Sequence, residues 1–278
     1  MDKKKLLFIA SYPKSGNTFM RAIISSLIYS EYGNFNFELF KKITLIDTNP
    51  FYDFVKTKNN NDFFKLNDLR ISCKYWLEAQ DNYSKLTKNF IFKTHAANLM
   101  LQNHKYTTEE NCMGVIYLVR NPIGIIPSYA YHLNTSNDEI LKMVKNSKTI
   151  SLNPKENICV PLSSWDTHVI SWSKINVPII FVRFEDMITD TKGTIFKCIE
   201  FLKSININFT HNSTKIENIY KSTKFEIMEK SEELSNFKIG KDKNFFRKGS
   251  LDNSDVNSNI KEELKNAFGK TMEKFNYL

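Results

Sequence analysis

The sequence has little of what marks membrane, disulfide-rich or metal-bound proteins. No uninterrupted apolar run approaches the roughly 20 residues of a membrane-spanning helix, and the run before Pro13 is too short to predict a signal peptide. The four cysteines are far apart and form no C-x-x-C pair, so they predict buried, reduced thiols rather than a zinc site or a disulfide framework. These absences favour a cytoplasmic protein without a membrane span or a bound metal.

Internal repeats and Gly/Ser-rich linkers are also missing. The 278 residues are 41% hydrophobic, which is enough to form one substantial core. We therefore predict a single domain over residues 1–278. Less regular segments near 33–88, 134–161 and 232–258 are expected to be loops and short helices inserted into that domain, where they are candidate walls of an acceptor site.

Positive charge is in excess, with a formal net charge of +9 and a pI of about 9.1. Such a charge attracts anions: a nucleic acid, an anionic membrane, or a phosphorylated or sulfated small molecule. The lysines are spread along the chain, so most of them are expected on solvated loops. The sign of the charge alone does not choose among these partners.

Four short, mainly apolar runs predict strands, and helical spacing follows several of them. Alternating strands and helices imply crossover connections, and hence an α/β domain with a mainly parallel central sheet flanked by helices. Ligands of such sheets bind beyond the carboxyl ends of the strands. The predicted strands are Leu6–Ser11, Asn89–His95, Gly114–Arg120 and Val177–Phe184, and Pro122 is the expected start of a helix.

The turn "YPKSGNT" after the first strand has the chemistry of a phosphate site. A strand that turns through Gly16 into a helix directs backbone N–H groups and the positive end of the helix dipole at one point. Lys14 adds a full charge there and Thr18 adds a hydroxyl. The turn is not a Walker A sequence, because its lysine precedes the glycine. The alternative is a plain Pro/Gly turn with an exposed lysine.

Six segments in order resemble those of the sulfotransferases. "SYPKSGNTFMRA" is similar to the family's 5′-phosphosulfate loop, "FKTHAA" to its K-T-H segment, and "YLVRNPIGIIPSYAYH" to its 3′-phosphate segment. "FVRFEDM", "STKFEIM" and "FFRKG" resemble Y-E-D-M, T-S-F-x-x-M and F-x-R-K-G. The resemblance implies a P-loop-like strand–loop–helix fold. It also implies sulfuryl transfer from 3′-phosphoadenosine 5′-phosphosulfate (PAPS) to a hydroxyl or amine, leaving 3′-phosphoadenosine 5′-phosphate (PAP).

The same resemblance implies a role for each matching residue, with His95 as catalytic base and Lys14 and Lys93 as catalytic cations. For Arg120 the alternative is an ion pair at the strand end with Glu185 or Asp186. For Phe19 and Phe225 the alternative is packing in the core. The residues expected to bind the donor are Lys14, Ser15, Gly16, Asn17, Thr18 and Phe19 in the first loop, Arg120, Ser128, Arg247, Lys248 and Gly249 at the 3′-phosphate, and Phe19, Phe225 and Thr223 around the adenine.

General chemical properties of Lys93 and His95, at the end of a predicted strand, support the catalytic roles that the resemblance implies for them. Lys93 and His95 are two residues apart on a strand, so their side chains share one face. A histidine has an unperturbed pKa of about 6.5, so a neutral imidazole can accept a proton near neutral pH. The spacing of the other histidines suggests no metal site, and they are expected at the surface or in packing: His104, His132, His168 and His211.

Some features depart from the animal cytosolic sulfotransferases. Phe19 replaces a tryptophan, Phe184 replaces the tyrosine of Y-E-D-M, and the family's G-D-W continuation is missing. The end of the chain instead resembles shorter bacterial sulfotransferases. The acceptor, a small molecule or a carbohydrate, is therefore not identified. No convincing dimer segment occurs, so the oligomeric state is open.

Two alternatives remain at this point. A nucleotide or small-molecule kinase of the same fold class would need a Walker lysine and a carboxylate for magnesium at a strand end. A basic nucleic-acid-binding protein would need clustered charge with interleaved aromatic residues, or a recognisable module. Neither pattern is evident, and we expect no nucleic-acid partner.

Overall fold

The computed structural model describes residues 5–45, 47–87, 89–153, 155–234, 251 and 256–278. A five-stranded parallel sheet lies at the centre, in the order β2-β3-β1-β6-β9. Two small antiparallel pairs, β4 with β5 and β7 with β8, lie outside it. The strands are β1 (Leu6–Ser11), β2 (Thr44–Leu45), β3 (Ile91–Thr94), β4 (Met100–Leu101), β5 (His104–Lys105), β6 (Cys112–Val119), β7 (Ile150–Asn153), β8 (Ile158–Pro161) and β9 (Ile179–Arg183).

Helices cover both faces of the sheet, and two 3₁₀ helices, Phe37–Lys42 before β2 and Cys73–Tyr75 before the sixth α-helix, occur among them. The helices are α1 (Asn17–Tyr29), α2 (Asn49–Tyr52), α3 (Phe54–Lys58), α4 (Asn60–Phe63), α5 (Leu69–Ser72), α6 (Trp76–Leu86), α7 (Pro122–Leu133), α8 (Asn137–Lys145), α9 (Trp165–Ser173), α10 (Phe184–Thr189), α11 (Thr191–Ser204), α12 (Ser213–Ser222), α13 (Phe225–Leu234) and α14 (Ser258–Lys274).

The alternation of side chains along β1 shows why its sequence is almost entirely apolar. Phe8 and Ala10 belong to the core on one face of the sheet, and Leu7 and Ile9 belong to the core on the other. All six residues of β1 are buried. A strand covered on both faces has no solvated side, so it needs no polar alternation. The predicted parallel α/β architecture and the bounds of this strand are confirmed.

The other three predicted strands are also confirmed, each with slightly different ends. Helix α7 begins at Pro122, as expected from the fixed φ of proline, and the Asn121 side chain accepts a hydrogen bond from the Ile123 backbone N–H at 3.0 Å. The strand ends and the helix starts that follow them therefore lie together at one edge of the sheet.

The inserted segments contain more strand than predicted. Residues 33–88 contribute β2 to the edge of the main sheet, and residues 134–161 contain the β7–β8 hairpin. The expectation of only loops and short helices was wrong there, because strands of two to four residues have too few side chains for a readable alternation. Most of the third segment, 232–258, lies outside the described residues.

Membrane-spanning helices, metal-binding clusters and cysteines were each considered from the sequence, and the structure describes all three features as follows. No helix in the described ranges is both long and apolar enough to cross a membrane. Those ranges also contain no group of three or more His, Cys, Asp or Glu side chains placed to hold a metal ion. All four cysteines are free and buried, as predicted.

Candidate active site

The turn from β1 into α1 has an unusual backbone. Lys14 (φ 67°) and Gly16 (φ 88°) both adopt the left-handed conformation, which costs a non-glycine residue about 1–2 kcal/mol. Gly16 is the N-cap of α1, and no side chain caps the helix there. The backbone N–H groups of the first turn are therefore left to an anion, in the field of the positive helix end.

Three polar side chains of this turn are buried, and they do not have the same role. The Asn17 amide nitrogen donates to the Ile9 carbonyl at 3.2 Å and to the Ser11 hydroxyl at 3.1 Å. Asn17 therefore fixes the end of β1 and offers an anion only its backbone. The Ser15 hydroxyl has no hydrogen-bond partner among the described residues, and the Thr18 side chain is 7% exposed. A buried hydroxyl without a partner fits a site whose ligand supplies one.

Arg120, at the end of β6, contacts this turn directly. Its Nη1 donates to the Lys14 carbonyl at 2.8 Å, and its guanidinium lies 4.1 Å from the centre of the Phe184 ring. The same ring covers Gly16, since a Cβ atom on Gly16 would lie 2.7 Å from Phe184 Cδ2. Burial lowers the pKa of Arg120 to about 10, so the group stays charged at neutral pH. Arg120 and the turn are thus in direct contact with each other, and both pack against the Phe184 ring.

The ion pair that is the alternative role of Arg120 is not formed among the described residues, because Asp186 pairs with Arg183 and the oxygens of Glu185 are occupied elsewhere. Glu185 accepts hydrogen bonds from the Asn121 backbone N–H at 3.0 Å and from the Tyr277 hydroxyl at 2.8 Å. Its charge still opposes the effect of burial on the pKa of Arg120. Glu185 is therefore a neighbour that moderates the charge of Arg120 while its own oxygens are occupied elsewhere.

The other residues expected at the 3′-phosphate are placed less fully. Ser128 lies on α7 one helical turn after Gly124, which lines a cavity with Arg120. Residues four apart on a helix share a face, so the Ser128 hydroxyl lies on the side of α7 that carries Gly124. The predicted residues 247–249 are outside the described residues and stay a prediction.

His95 follows β3 and is held beside the end of β1. Its Nδ1 lies 2.8 Å from the Ser11 carbonyl oxygen, 84 residues away in the chain. The Ser11 hydroxyl oxygen also lies 3.2 Å from Nδ1. Because the nearer carbonyl can only accept, this geometry favours the tautomer with the hydrogen on Nδ1 and the lone pair on Nε2. Burial and the positive charge of Lys93 lower the pKa of His95 well below its usual value. The ring is therefore neutral at neutral pH, with Nε2 as its basic atom.

The peptide of His95 is held from α9 by side chains that are themselves buried. His168 Nε2 donates to the His95 carbonyl at 3.0 Å, and the Tyr117 hydroxyl donates to His168 Nδ1 at 2.7 Å. Trp172 Nε1 donates to the Ala96 carbonyl at 2.9 Å. Burial lowers the pKa of His168 to about 4, so that ring stays neutral. The packing role expected of His168 is confirmed, whereas its contact with His95 could not be read from sequence spacing.

Lys93 lies on β3 between the two neighbouring strands, beside Ile9 on β1 and Leu45 on β2. Burial, Arg21 and Lys14 together lower its pKa to about 7. A lysine with such a pKa exchanges its proton near neutral pH. Lys14, Lys93 and His95 are thus brought together at the carboxyl end of the sheet, as the sequence predicted.

A carboxylate that sequence reasoning missed lies beside Lys93. Asp47 comes two residues after Leu45 and is 4% exposed, and its Oδ1 has no hydrogen-bond partner among the described residues. Burial raises its pKa to about 7, and the charge of Lys93 opposes that rise. Its only sequence signal would have been the end of a strand, and β2 is too short to be recognised.

The two phenylalanines expected at the adenine lie in one aromatic cluster. Phe19 and Phe225 are partly buried and pack against Phe40 and Met228. The Thr223 side chain is buried, and its hydroxyl donates to the Ile219 carbonyl at 2.7 Å. The fold therefore brings Phe19 and Phe225 together, while Thr223 keeps only acceptor capacity for a ligand.

A turn whose uncapped backbone N–H groups suit an anion and a neutral histidine at adjacent strand ends fit a group-transfer enzyme that handles phosphorylated substrates. Residues 4–276 match the family described as "Sulfotransferase domain". Sulfotransferase 1E1 of Mus musculus is 27% identical over 275 residues, which is 94% of this chain and 80% of the relative. Sulfotransferase 1B1 of Canis lupus familiaris is 30% identical over 224 residues, 80% of this chain and 65% of the relative.

Solved structures show the same fold. Mouse sulfotransferase SULT7A1 complexed with PAP superposes with a TM-score of 0.59 and 18% identity, over 97% of this chain and 84% of that one. Retinol dehydratase in a complex with retinol and PAP gives a TM-score of 0.62 and 17% identity, over 98% and 82%. The chain belongs to the sulfotransferase family and is a sulfotransferase. Its likeness to bacterial members stays a prediction.

Proposed function

We propose that this protein transfers a sulfuryl group from PAPS to a hydroxyl or amine of a small-molecule or carbohydrate acceptor, with His95 as the general base. The observation that carries the proposal is the hydrogen bond of 2.8 Å between His95 Nδ1 and the Ser11 carbonyl. It supports the tautomer in which Nε2 is basic, at a strand end shared with Lys93 and next to the Lys14 turn.

The residues present fit a doubly phosphorylated nucleoside. The α1 N-terminus has no side-chain cap, and the buried Ser15 hydroxyl has no protein partner in the described ranges. Arg120 and Phe184 lie beside this turn, and Phe19 and Phe225 offer two aromatic faces. Backbone N–H groups, a guanidinium and aromatic rings are the donors and surfaces that phosphates and a purine require.

PAPS supplies, when bound, an activated sulfuryl group whose transfer leaves PAP. His95 Nε2 accepts the proton of the acceptor as the acceptor atom bonds to sulfur. Lys14 and Lys93 would supply the positive charge that stabilises the departing phosphate oxygen. Relatives solved with PAP support this choice of donor. By analogy with the family, we propose that the acceptor atom, the sulfur and the departing oxygen are arranged in line.

The donor is tested by thermal unfolding without magnesium. PAP should raise the melting temperature, because it binds only the folded state, and ATP should do so much less, because it lacks a 3′-phosphate. Lys14→Ala should reduce the PAP shift. Lys142→Ala is the matched control, since Lys142 is an exposed lysine paired with Glu139 on α8.

Equal stabilisation by ATP, or a requirement for magnesium, would support the kinase alternative instead.

Sulfuryl transfer itself is tested by mass spectrometry of reactions that contain PAPS and a panel of a phenol, an alcohol, an amine and a sugar. A product heavier by one sulfuryl group identifies the acceptor class. No product from any of them, together with no PAP shift, would overturn the proposal. The cytoplasmic location stays a prediction.

A further inference from the structure

A polar cavity of about 210 Å³ lies beside Arg120. Its walls come from the start of α7, the end of β9, the first turn of α10 and the segment after α14. Leu251, two residues beyond the predicted 247–249 segment, also lies on it. The lining residues are Arg120, Asn121, Gly124, Arg183, Glu185, Leu251, Asn276 and Tyr277.

The net charge of the described lining depends on Arg183, for which no role was predicted from the sequence. Arg120 and Glu185 alone would leave the lining neutral, and a neutral lining gives little attraction for a phosphate dianion. Arg183 is the second guanidinium on the wall, so the described lining carries one net positive charge. Because a cavity with low-dielectric walls focuses such a field, Arg183 gives the described part of the lining its attraction for an anion.

The contacts of Arg183 leave its donors weakly engaged. Its Nη1 lies 3.4 Å from Asp186 Oδ1 and its Nη2 lies 3.5 Å from the Asn276 carbonyl, both at the long limit for a hydrogen bond. Its buried Nε has no partner among the described residues. The Asp186 carboxylate is 49% exposed, so the pair is screened by water and weak. A phosphate could replace these contacts with shorter, charge-assisted ones.

Tyr277 sets the position of both charged neighbours. The Arg183 guanidinium lies 4.9 Å from the centre of the Tyr277 ring, which restricts its movement. The Tyr277 hydroxyl donates to one oxygen of Glu185, while the other oxygen accepts the Asn121 N–H. With both of its oxygens occupied, Glu185 has less capacity to form a bidentate pair that would consume either arginine.

We propose that Arg183 is a further phosphate-binding arginine, which together with Arg120 holds the 3′-phosphate of the donor in this cavity. The inference rests on the proposed function, because that function supplies a phosphate monoester next to Arg120. Arg183 binds the phosphate through its planar fork of N–H donors, and Tyr277 is a positioning residue that holds this fork toward the cavity.

Calorimetry with two ligands that differ only in the 3′-phosphate tests the inference. The measured quantity is the ratio of the Kd of adenosine 5′-phosphate to the Kd of PAP. In Arg183→Gln this ratio should fall at least tenfold relative to wild type, while the Kd of adenosine 5′-phosphate changes less than twofold. Arg183→Lys keeps the charge without the fork, and its ratio should fall about threefold or more. The lysine variant also serves if the glutamine variant fails to fold.

Arg70→Gln is the matched control, because Arg70 is also paired with an aspartate close by in sequence, Asp68, but lies on α5 with 73% of its side chain exposed. Its ratio should equal that of wild type. An unchanged ratio in folded Arg183 variants, or an equal fall in Arg70→Gln, would overturn the role of Arg183 alone. If wild type binds both ligands equally, the proposed function fails as well, so the two failures are distinguishable.

Discussion

Replacing Gly16 by alanine tests the packing at the centre of the site. The left-handed backbone of Gly16 costs an alanine about 1–2 kcal/mol. The added Cβ would also lie 2.6 Å from Met187 Cε and 2.7 Å from Phe184 Cδ2, and overpacking of this kind costs about 1–3 kcal/mol. We therefore expect Gly16→Ala to lower the free energy of unfolding by about 3 kcal/mol.

The loss should extend to ligand binding, because the Phe184 ring that must move is the surface on which Arg120 stacks. Urea denaturation measures the free energy of unfolding, and calorimetry measures the Kd of PAP. Gly269→Ala is the control, since Gly269 is inside helix α14 and its Cβ would meet only Leu278, at 3.9 Å. That variant should be as stable as wild type or up to about 1 kcal/mol more stable. A Gly16→Ala protein with wild-type stability and PAP affinity would refute this reasoning.

Three further substitutions test the residues around the base. His95→Asn should lower kcat about a hundredfold with an unchanged Kd for PAP, because Nε2 acts on the acceptor proton; steady-state kinetics with wild-type rates would require another base. Lys93→Met should lower kcat, because it removes a proposed catalytic cation. It should also raise the free energy of unfolding by about 1–2 kcal/mol at pH 7, because burial lowers the pKa of this lysine from 10.5 to about 7 and partial contact with solvent reduces the resulting energetic penalty. The unfolded state binds the extra proton between those pKa values, so the gain is full below pH 7 and is lost as pH rises to 10.5, and urea titrations that show no such trend would contradict it. Tyr117→Phe removes the donor to His168 and should cost about 1–2 kcal/mol in thermal unfolding with little change in the Kd of PAP, whereas a selective loss of PAP affinity would point to a different role.

The sequence was informative wherever one local rule acted alone. The apolar run Leu6–Ser11, the proline at position 122 and the glycine at position 16 each predicted the element or turn that the structure contains. The strand-end positions of Lys93 and His95 were also correct. Each of these features depends on neighbours a few residues away, so a single chain segment carries its signal.

The sequence did not reveal contacts between distant segments. The tautomer of His95 depends on Ser11, 84 residues away, and the Arg120–Lys14 contact joins residues 106 apart. Asp47 was missed because the two-residue strand before it has no periodicity. Register between strands, rather than any local pattern, brings such groups together.

The sequence by itself therefore determined the class of fold, the turn through Gly16 into α1 and the strand-end position of His95, because backbone sterics and hydrophobic periodicity act over a few residues. Only the tertiary structure decided which nitrogen of His95 is basic, why the pKa of Lys93 falls to about 7, and that Arg183 and Tyr277 share a cavity with Arg120. Burial and charge depend on everything packed within a few ångströms of a group. For these residues, most of that surrounding comes from parts of the chain far away in sequence.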